Sequence, residues 1–490
     1  MHSDIHPFDL RGRAERAARD AGFETEFSAA AESEAERARP LEPDARESGV
    51  PARDLRSLLW SSIDNEESRD LDQVEWCEKG PGKGIRVLIG IADVASQVPI
   101  GGAMDTRAAH NTCSIYTGVE TFPMLPERLS TGLTSLLPGE ERLAIVIEYT
   151  IGEQGQVLQS DVYRARVRNK AKLVYERIGD WLDGHGALPP EVAQVPDLEA
   201  QVRLQWEVAT RLKAQRQSQG ALDVELPEAR PVVSDGRVTG IEVPRKNPAR
   251  LIIENFMVTA NMVMAGLLES RGVPAIQRVV RKPQRWPRIV DLAREHGTTL
   301  PVQPDAKALS DFLSAQKAGS PQRFGDLSLS ILKLLGRGEY AVVRGPEEGI
   351  GHFGLGMHDY AHSTAPNRRF PDLVAQRTVV ALLDKVPGPY SFEQLQEIAA
   401  HCTEREAAAQ KVERLMRKVA MAALLSDRIG EVLEAVVTGS SPKGVYVRAQ
   451  SPAVEGRVIG GERGLDVGDT LRVRLVRVDT EKGFIDFERA

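Results

Sequence analysis

The spacing of the hydrophobic residues changes along this chain. Between residues 54 and 175, short runs of β-branched and other apolar residues are bounded by glycine and polar turns, which predicts strands. The run RVLIGIADV at residues 86–94 is apolar almost throughout, which favours a strand buried on both faces. We therefore expect the first part of the chain to be rich in β-structure.

From residue 190 onward, the apolar positions recur at the spacing of helices. Helices are predicted at residues 191–219, 248–271, 288–297, 305–317, 370–383 and 404–430. The most apolar long segment is interrupted by Thr259 and Asn261 and is too short to cross a bilayer, so no membrane partner is expected. No composition break separates these helices from the strands, which places both in one domain.

The last sixty residues return to short apolar runs separated by glycine or aspartate turns, which predicts a small β-barrel. Within residues 471–475, Arg472 and Arg474 alternate with apolar side chains, so one face is basic. Together with exposed aromatics, for which Tyr446 and Phe484 are candidates, such a barrel suits single-stranded nucleic acid. The alternative is a plain barrel whose arginines only solvate its outer face.

Residues 8–40 are rich in alanine, glutamate and arginine and predict two helices broken at Gly22 and ended by Pro40. The pair is either a small helix-turn-helix-like module or a helical arm that covers the next domain. Residues 1–50 hold twelve acidic residues and seven arginines, hence −5 of the total −7, and this charge would repel phosphates. Three prolines in residues 40–52 predict a linker.

The cysteines and the N-terminus bear on the compartment. Cys77, Cys113 and Cys402 are far apart, which argues against a disulfide framework and favours a reducing compartment. The first ten residues have neither a basic region nor an apolar core typical of a signal peptide. A cytoplasmic protein is expected.

Residues 61–76, SSIDNEESRDLDQVEW, are the most informative stretch. Asp64, Asp70 and Asp72 fall within nine residues. Like charges held close together repel each other unless a cation neutralises them, and hard divalent metals prefer oxygen ligands. The alternative is an acidic, solvated turn.

Two basic clusters could contact nucleic acid. Residues 163–175 carry alternating cations that could follow a phosphate backbone as a strand, with Tyr175 offering a surface for base stacking. Residues 278–288 place five cations around Trp286. The alternatives are a solvated strand with a core tyrosine and an exposed loop.

A third cluster, YAHSTAPNRRFPD at residues 360–372, precedes a predicted helix. Arg368 and Arg369 could clamp a phosphate there, with His362 as an extra donor, because arginine presents a fork of donors and a helix N-terminus favours anions. The alternative is that the arginines pair with Asp372. Acids, an arginine clamp and a basic barrel together indicate metal-dependent hydrolysis of nucleic acid.

At this point the chain resembles the ribonuclease II / ribonuclease R family. The acidic stretch IDNEESRDLDQ resembles the family's signature I-D-x(5)-D-x-D-D, and other blocks follow in the family's order: IADVASQV, FPMLPERLS, KAKLVY, IENFMVTAN, HFGLG and YAHSTAPNRRFPDL. The resemblance implies an α+β fold with three regions: a helical N-terminal module at residues 1–50, an RNB-type catalytic domain at residues 51–430, and an S1/OB-type RNA-binding barrel at residues 431–490.

The resemblance also implies an activity, a 3′→5′ exoribonuclease that needs Mg²⁺, with Mn²⁺ as an alternative ion, and that releases nucleoside 5′-monophosphates. The expected partner is RNA with a single-stranded 3′ end. Carried over by position, the metal ligands are Asp64, Asp70 and Asp72, the last of them also catalytic together with Arg368. Tyr175 and Glu413 are matched in the same way to residues near the RNA end, and the basic clusters and the barrel pattern described above add Trp286, Arg369, Tyr446, Arg472 and Arg474 as expected RNA-binding residues.

Two departures from the family's pattern affect these expectations. Gln73 stands where the family has a fourth acidic residue, which removes one negative charge unless Glu66, Glu67 or Glu75 compensates. A catalytically weakened RNA-binding protein is therefore the alternative function. In addition, residues 1–50 are too few for the two cold-shock barrels that family members usually carry, so the RNA channel should be more open and admit structured RNA.

Overall fold

The structure is a computed structural model, which describes residues 8–40, 51–80, 82–224, 230–234, 237–242, 246–345, 350–441, 444–465 and 468–490. Among these residues, helices and strands mix as predicted, and the fold is α+β. The helices are α1 Leu10–Asp20, α2 Ala29–Arg37, α3 Ala103–Asn111, α4 Tyr175–Leu182, α5 Pro190–Ala193, α6 Leu198–Ser218, α7 Pro248–Ser270, α8 Trp286–Glu295, α9 Ala306–Gly319, α10 Pro321–Leu335, α11 Phe370–Leu383 and α12 Phe392–Leu425.

A seven-stranded sheet forms the centre of the larger domain, in the order β1-β8-β7-β4-β3-β2-β9. Its strands are β1 Arg53–Asp54, β2 Ser61–Asp64, β3 Gln73–Lys79, β4 Ile85–Ala92, β7 Glu141–Ile151, β8 Val157–Arg168 and β9 Ala171–Val174. The predicted buried strand is confirmed, since β4 lies in the middle of the sheet. Two-stranded pairs join β5 Ile115–Tyr116 to β6 Thr121–Phe122, β10 Arg230–Ser234 to β11 Arg237–Glu242, and β12 Ala275–Val279 to β13 Glu339–Val343.

The sheet is covered on both faces, which explains why its strands are so apolar. On one face, Cys77 and Ile89 pack with α6 and α7, whose Phe256 is fully buried. On the other face, Val74 and Leu88 pack with α3 and the first half of α11. By length and composition α7 could cross a membrane, but 67% of its most apolar window is buried inside the protein.

The N-terminal helices lie on the larger domain. In α1, Leu10 and Ala14 pack against Val412 and Met416 of α12, while α2 contributes its buried alanines to the core around α3. Arg13 of α1 also donates to the main-chain oxygen of Glu481 in the C-terminal barrel, at 3.0 Å. The pair therefore packs on both of its neighbours, the larger domain and the barrel. The predicted linker at residues 40–52 lies mostly outside the described residues.

The C-terminal residues form a closed five-stranded barrel, as predicted. Its strands are β14 Val432–Ser441, β15 Gly444–Ala449, β16 Glu455–Gly460, β17 Thr470–Asp479 and β18 Phe484–Arg489. Leu471, Val473 and Leu475 point into the barrel core, whereas Arg472 and Arg474 lie outside it.

Some helices differ from the prediction. The predicted helix at residues 191–219 is divided, because Asp197 adopts a positive φ of 64° between α5 and α6. The last predicted helix begins earlier, at Phe392, where Ser391 and Gln394 form a capping box. Helix α10 lies outside the predicted helices and packs on α8 and α9 in a small helical cluster.

Candidate functional site

Asp72 occupies the centre of the candidate site, directly before β3. Its Oδ1 accepts hydrogen bonds from the main-chain nitrogen of Asn367 at 3.2 Å and from its side-chain nitrogen at 2.9 Å. The Nε of Arg368 lies 3.6 Å from Oδ2, which is buried and accepts no hydrogen bond from the described residues. Burial raises the pKa of Asp72 to about 7, although Arg368 opposes the rise.

Asp70 lies beside Asp72 and is bound by a residue that the sequence analysis missed. The hydroxyl of Tyr116 on β5 donates to Oδ2 of Asp70 at 3.2 Å, and the main-chain nitrogen of Tyr116 donates to Oε1 of Glu413 at 3.0 Å. Burial raises the pKa of Asp70, as does the charge of Asp64, whereas Arg368 lowers it. A tyrosine six residues before the block at residues 122–130 gave no signal in the sequence, because its role depends on how the β5–β6 hairpin packs.

Asp64 is the last residue of β2, and its side chain is hydrogen-bonded within the loop that follows. Its Oδ1 accepts hydrogen bonds from the main-chain nitrogen of Asn65 at 2.7 Å and from the hydroxyl of Ser68 at 2.6 Å. Across the part of the chain that the structure describes, no three His, Cys, Asp or Glu side chains converge to hold a metal ion. The three predicted ligands therefore do not converge on one point in this structure.

The chemistry of these acids still fits a hard divalent cation. Asp72 has a buried oxygen without a hydrogen-bond donor, and the pKa of Asp70 is raised by its burial and by the charge of Asp64. Both features indicate carboxylates that a cation would stabilise in their charged form. The ligand atoms of all three residues are carboxylate oxygens, which Mg²⁺ and Mn²⁺ prefer. The residues that would hold such an ion are Asp64, Asp70 and Asp72.

The predicted phosphate clamp is only partly present. The side chain of Arg368 is 44% exposed and is therefore accessible to an anion. Arg369 instead donates to Oδ1 of Asp372 at 2.6 Å, the alternative that the sequence left open, and this ion pair anchors the start of α11. His362 is also misassigned, because its Nδ1 is hydrogen-bonded to the hydroxyl of Tyr340 at 2.8 Å beneath the site.

A cavity of about 260 Å³ adjoins the acids. Arg368, Tyr116 and Glu413 of α12 line it, and Tyr116 is hydrogen-bonded both to Glu413 and to Asp70. The structure thus places Glu413 next to the site, where the resemblance suggested a residue near the RNA end.

Tyr175 is the first residue of α4 and lies close to Asp64. Strand β9 runs parallel to β2 with Val174 opposite Asp64, which puts Tyr175 directly beyond that aspartate. One face of its ring is covered by the guanidinium of Arg250, 4.5 Å from the ring centroid. Burial raises the pKa of Tyr175, and the charge of Asp64 raises it further. The ring is half-buried, so part of it remains accessible for stacking.

Two predicted nucleic-acid contacts do not fit their positions. Trp286 is 2% exposed in the core between α8, α9 and α10, and its Nε1 donates to the main-chain oxygen of Pro301 at 2.9 Å. Its ring cannot stack on a base from there. In the basic strand β8, Arg164 pairs with Asp93 and Asp384, and Arg168 pairs with Glu141, so these arginines bind carboxylates of the protein itself.

The barrel presents the predicted groups at its surface. Tyr446 and Phe484 are 43% and 54% exposed. Arg472 lies 3.6 Å from Glu434, and Arg474 donates to the main-chain oxygen of Gly430 at 3.3 Å. These contacts are at the surface and leave both arginines accessible to phosphates.

The fold and the site together define an α+β protein with an acidic, arginine-facing site at one end of a sheet and a separate OB-type barrel. Comparison with known families gives the same assignment. The RNB domain matches residues 52–385, and the RNase II-type exonuclease C-terminal S1 domain matches residues 431–490. The chain belongs to the RNB family, which confirms the resemblance seen in the sequence.

Several relatives that are similar to this chain are named ribonuclease R. The protein of that name from Thermotoga maritima is 30% identical over 472 residues, covering 89% of this chain and 65% of its own length. This chain thus spans less than two-thirds of that relative. Mycoplasma genitalium RNase R matches with a TM-score of 0.88 at 23% identity in its complex with ribose-methylated single-stranded RNA, over 99% of this chain and 78% of that one. Its complex with double-stranded RNA matches with a TM-score of 0.87 at 24% identity, over 99% and 84%.

Proposed function

We propose that this protein is a 3′→5′ exoribonuclease that hydrolyses RNA to nucleoside 5′-monophosphates with the help of Mg²⁺ or Mn²⁺. The observation that carries the proposal is the buried, donor-free Oδ2 of Asp72 beside Asp70 and the exposed Arg368. Membership of the RNB family and the ribonuclease R relatives support it. The cytoplasmic location stays a prediction from the sequence.

In this proposal each side chain has a defined task. Asp64, Asp70 and Asp72 would hold the divalent ion, which activates water and stabilises the leaving oxygen in reactions of this class. Asn367 fixes the carboxylate of Asp72 by two hydrogen bonds to Oδ1, which leaves Oδ2 on the side of Arg368 without a hydrogen bond from the described residues. Arg368 neutralises the charge that develops on the scissile phosphate, in a partly buried site where such an interaction is strong.

The remaining residues position the RNA. Tyr175 would offer the accessible part of its ring to the 3′-terminal base, since stacking on an aromatic ring holds a base without regard to its identity. Tyr116 borders the cavity next to Asp70, where its hydroxyl restrains that carboxylate. Tyr446, Phe484, Arg472 and Arg474 on the barrel would bind the strand further from its end.

Incubation of 5′-labelled single-stranded RNA with the full chain and Mg²⁺ tests the proposal. We expect a ladder that shortens from the 3′ end, with nucleoside 5′-monophosphates as products, and we expect no shortening of DNA of the same sequence. Asp72→Asn should abolish shortening, whereas Asp291→Asn, which alters an exposed carboxylate paired with Arg294 on α8, should not. If the parent protein leaves the RNA intact, the proposal is wrong.

Incubation with an RNA duplex that carries a 3′ overhang tests whether the protein degrades structured RNA. The structure of M. genitalium RNase R with double-stranded RNA motivates this substrate. Complete degradation of the overhang-bearing strand would support an open channel, while a stop at the duplex boundary would argue against it.

Gln73 favours one other function, an RNA-binding protein with weakened catalysis. This alternative predicts tight RNA binding without turnover, and it predicts that Gln73→Asp restores turnover. Rapid shortening of RNA by the unmodified protein would eliminate it.

A further inference from the structure

The turn between β17 and β18 of the barrel, at residues 480–483, is held on one side by the N-terminal helix α1. The Nε of Arg13 donates to the main-chain oxygen of Glu481 at 3.0 Å and lies 3.3 Å from its carboxylate. The Nη2 of Arg16, on the same face of α1, lies 3.7 Å from that carboxylate. The side chain of Arg13 is only 14% exposed, so water screens this contact less than it screens an ion pair at the surface.

On its other side, the same turn lies directly on α12. Gly483 has a positive φ of 68°, and a Cβ at this position would lie 2.7 Å from the Cβ of Lys418 and 2.8 Å from the main-chain nitrogen of Val419. Atoms of a side chain do not approach a helix main chain that closely, so this position requires glycine. The turn is thereby seated between α1 and α12, which also pack on each other.

The barrel is attached to the larger domain at a second place, the end of α12. Met421, Ala422 and Leu425 belong to the hydrophobic core of the barrel, and residues 426–431 connect α12 to β14. A helix rises 1.5 Å per residue, so the contact at Lys418 and the end of α12 at Leu425 are about 10 Å apart along the helix. A barrel attached only at its chain connection could rotate about that connection, and the contact at the turn prevents this rotation.

The same helix, α12, also reaches the cavity next to the acids. Gln410 and Glu413 line that cavity, and Lys418 follows Glu413 by about 7.5 Å along the helix. On the barrel, Gly483 directly precedes Phe484, which is 54% exposed. The contacts of the turn therefore determine how a surface suited to RNA is oriented relative to the cavity that would receive the 3′ end.

An RNA strand that contacts both the cavity and the barrel is a bivalent ligand. Once its 3′ end is held in the cavity, the contact with the barrel is intramolecular, and its strength depends on the effective concentration of the barrel surface. A barrel that is already held in one orientation loses no freedom when RNA binds, whereas a mobile barrel does. A fixed barrel therefore increases the affinity of RNAs that are long enough to reach it and leaves that of shorter RNAs unchanged.

We propose that the N-terminal helices brace the barrel against the larger domain, so that one RNA strand is held at the cavity and at the barrel together. The residues of this barrel brace are Arg13, Arg16, Lys418, Glu481 and Gly483. The inference rests on the proposed function, because it concerns the RNA that the reaction would degrade. It gives the N-terminal helices a task other than contact with phosphates, which agrees with the net charge of −5 in residues 1–50.

The affinity of RNAs of increasing length tests the proposal. Fluorescence anisotropy in EDTA gives the dissociation constants of labelled single strands from about 4 to 20 nucleotides, a range that includes the site size of one OB-type barrel. For the parent protein we expect a step in affinity at the length that reaches the barrel. Arg13→Ala should reduce this step about fivefold or more, and RNAs below the step should bind within about twofold of the parent.

Arg19→Ala is the matched control on α1, because Arg19 pairs with Glu15 and Glu26 of the N-terminal module. It should leave the dependence of affinity on length as it is in the parent. A role of Arg13 in stability alone would lower the denaturation midpoint of Arg13→Ala and leave the step unchanged, and that result would overturn the proposal. A parent protein without any step would overturn it too, because the two surfaces would then not share one strand.

Gly483→Val tests the other side of the turn and does not depend on the arginine variant. Its side chain would meet Lys418, so the step should fall at least as far as in Arg13→Ala. Gly464→Val is the control for backbone strain, because Gly464 has a similar φ of 78° on the same barrel but nothing within 4 Å of its Cβ position. If both glycine variants reduce the step equally, strain in the barrel is the cause and the brace is refuted.

The distance between the barrel and the larger domain checks the cause directly. Spin labels at Glu462→Cys on the barrel and Glu295→Cys on α8 report this distance, since both positions are exposed. A Cys113→Ser background leaves only buried native cysteines. Double electron–electron resonance should give a narrow distribution of distances in the parent and a broader one when Arg13→Ala is added. Equally narrow distributions would overturn the proposal.

The two proposals fail in different ways. A parent protein that shortens RNA, while Arg13→Ala keeps the full step in affinity, would refute only the brace. A parent protein that shows the step in EDTA but leaves RNA intact with Mg²⁺ would refute the exonuclease, and the brace would then belong to an RNA-binding protein.

Discussion

Asn367 donates two hydrogen bonds to one oxygen of Asp72, from its main-chain nitrogen at 3.2 Å and from its side-chain nitrogen at 2.9 Å. The hydroxyl of Thr134 in turn donates to Oδ1 of Asn367 at 2.6 Å, which fixes the orientation of the amide. The carboxylate of Asp72 is thereby held in one rotation, with Oδ2 on the side of Arg368. The loop before α11 thus orients the carboxylate of Asp72, which lies nearly three hundred residues earlier in the chain.

This relationship predicts that Asn367→Ala reduces turnover without releasing RNA. The main-chain hydrogen bond survives the change, but the carboxylate gains freedom to rotate. Loss of an orienting partner typically costs about 10–100-fold in activity, so we expect a fall of that size in kcat for single-stranded RNA. The dissociation constant for RNA, measured in EDTA, should not change. Gln376→Ala is the control, because Gln376 binds main-chain groups of Ala92 and Ala95 and no site residue. Equal loss of turnover in both variants would point to general damage.

Tyr175 predicts a different pattern, a loss of RNA affinity that depends on the aromatic ring. Stacking on an aromatic side chain is worth about 1–3 kcal/mol per base, so Tyr175→Ala should weaken binding of a short RNA about 5–150-fold. Tyr175→Phe should bind nearly as the parent does, since the hydroxyl is not needed for stacking. The measurement is fluorescence anisotropy with a labelled oligonucleotide in EDTA. Equal affinity of the alanine and phenylalanine variants would show that the ring does not contact RNA.

The histidines beneath the site predict loss of stability in acid. Burial, followed by the charge of Arg278, lowers the pKa of His352 to about 4 from an ordinary value of 6.5. Burial and the charge of Arg369 also lower the pKa of His362 well below normal. Below pH 6.5 these two histidines therefore bind protons in the unfolded chain but not in the folded protein. The free energy of unfolding consequently falls as the pH falls.

For each of these two histidines the expected loss is about 1.4 kcal/mol per pH unit below 6.5, until the folded protein is itself protonated. Urea denaturation at pH 7.5 and pH 5.5 measures it. His352→Asn keeps an acceptor for the main-chain nitrogen of Leu355 and should reduce the difference between the two pH values. His185→Asn, at an exposed histidine, should leave the difference unchanged. A difference that persists in full in His352→Asn would contradict the assignment.

The packing of the N-terminal helices predicts that Phe23 stabilises the protein. Phe23 is 3% exposed between α1 and α12, with the guanidinium of Arg405 3.7 Å from its ring centroid. Deleting a buried phenylalanine side chain costs about 3–5 kcal/mol, so Phe23→Ala should lower the denaturation midpoint and expose α1 to protease. Phe484→Ala, at an exposed phenylalanine, should change stability by about 0.5 kcal/mol or less. Resistance of α1 to protease in Phe23→Ala would show that the helix is held by other contacts.

The strands and most helices could be predicted from the sequence because their evidence is local. A strand such as Ile85–Ala92 is apolar throughout because both of its faces are covered, and that pattern is visible in eight residues. The closed barrel could be predicted in the same way, from the alternation of apolar and basic residues around Arg472. Both predictions rest on residues that are close together in the sequence.

The site itself depends on contacts between distant segments, which no local pattern encodes. Asp72 and Arg368 were assigned to one site from the chemistry of their two clusters and from the family resemblance, because no local pattern shows that they are close. Tyr116 was missed because its hydroxyl reaches Asp70 through the packing of a hairpin. Trp286 was misread for the same reason, since the helices that bury it follow it in the chain. Cations around an aromatic residue do not reveal whether its ring faces solvent.

The barrel predicts two separable contributions to RNA binding, charge and stacking. Neutralising an arginine that contacts a phosphate lowers the salt dependence of binding, by a slope of about 0.7 for each contact with single-stranded nucleic acid. Arg472→Gln and Arg474→Gln should therefore each flatten the plot of log affinity against log salt. Tyr446→Ala and Phe484→Ala should instead weaken binding by about 1–3 kcal/mol at every salt concentration, with the slope unchanged. Arg448→Gln is the matched control, because Arg448 pairs with Glu455 at 3.0 Å on the same barrel. Binding of a single-stranded RNA longer than the catalytic channel is measured in EDTA across 50–300 mM salt, roughly the range where counter-ion release is measured. If all five variants bind this RNA as the parent does, the barrel surface does not hold the RNA.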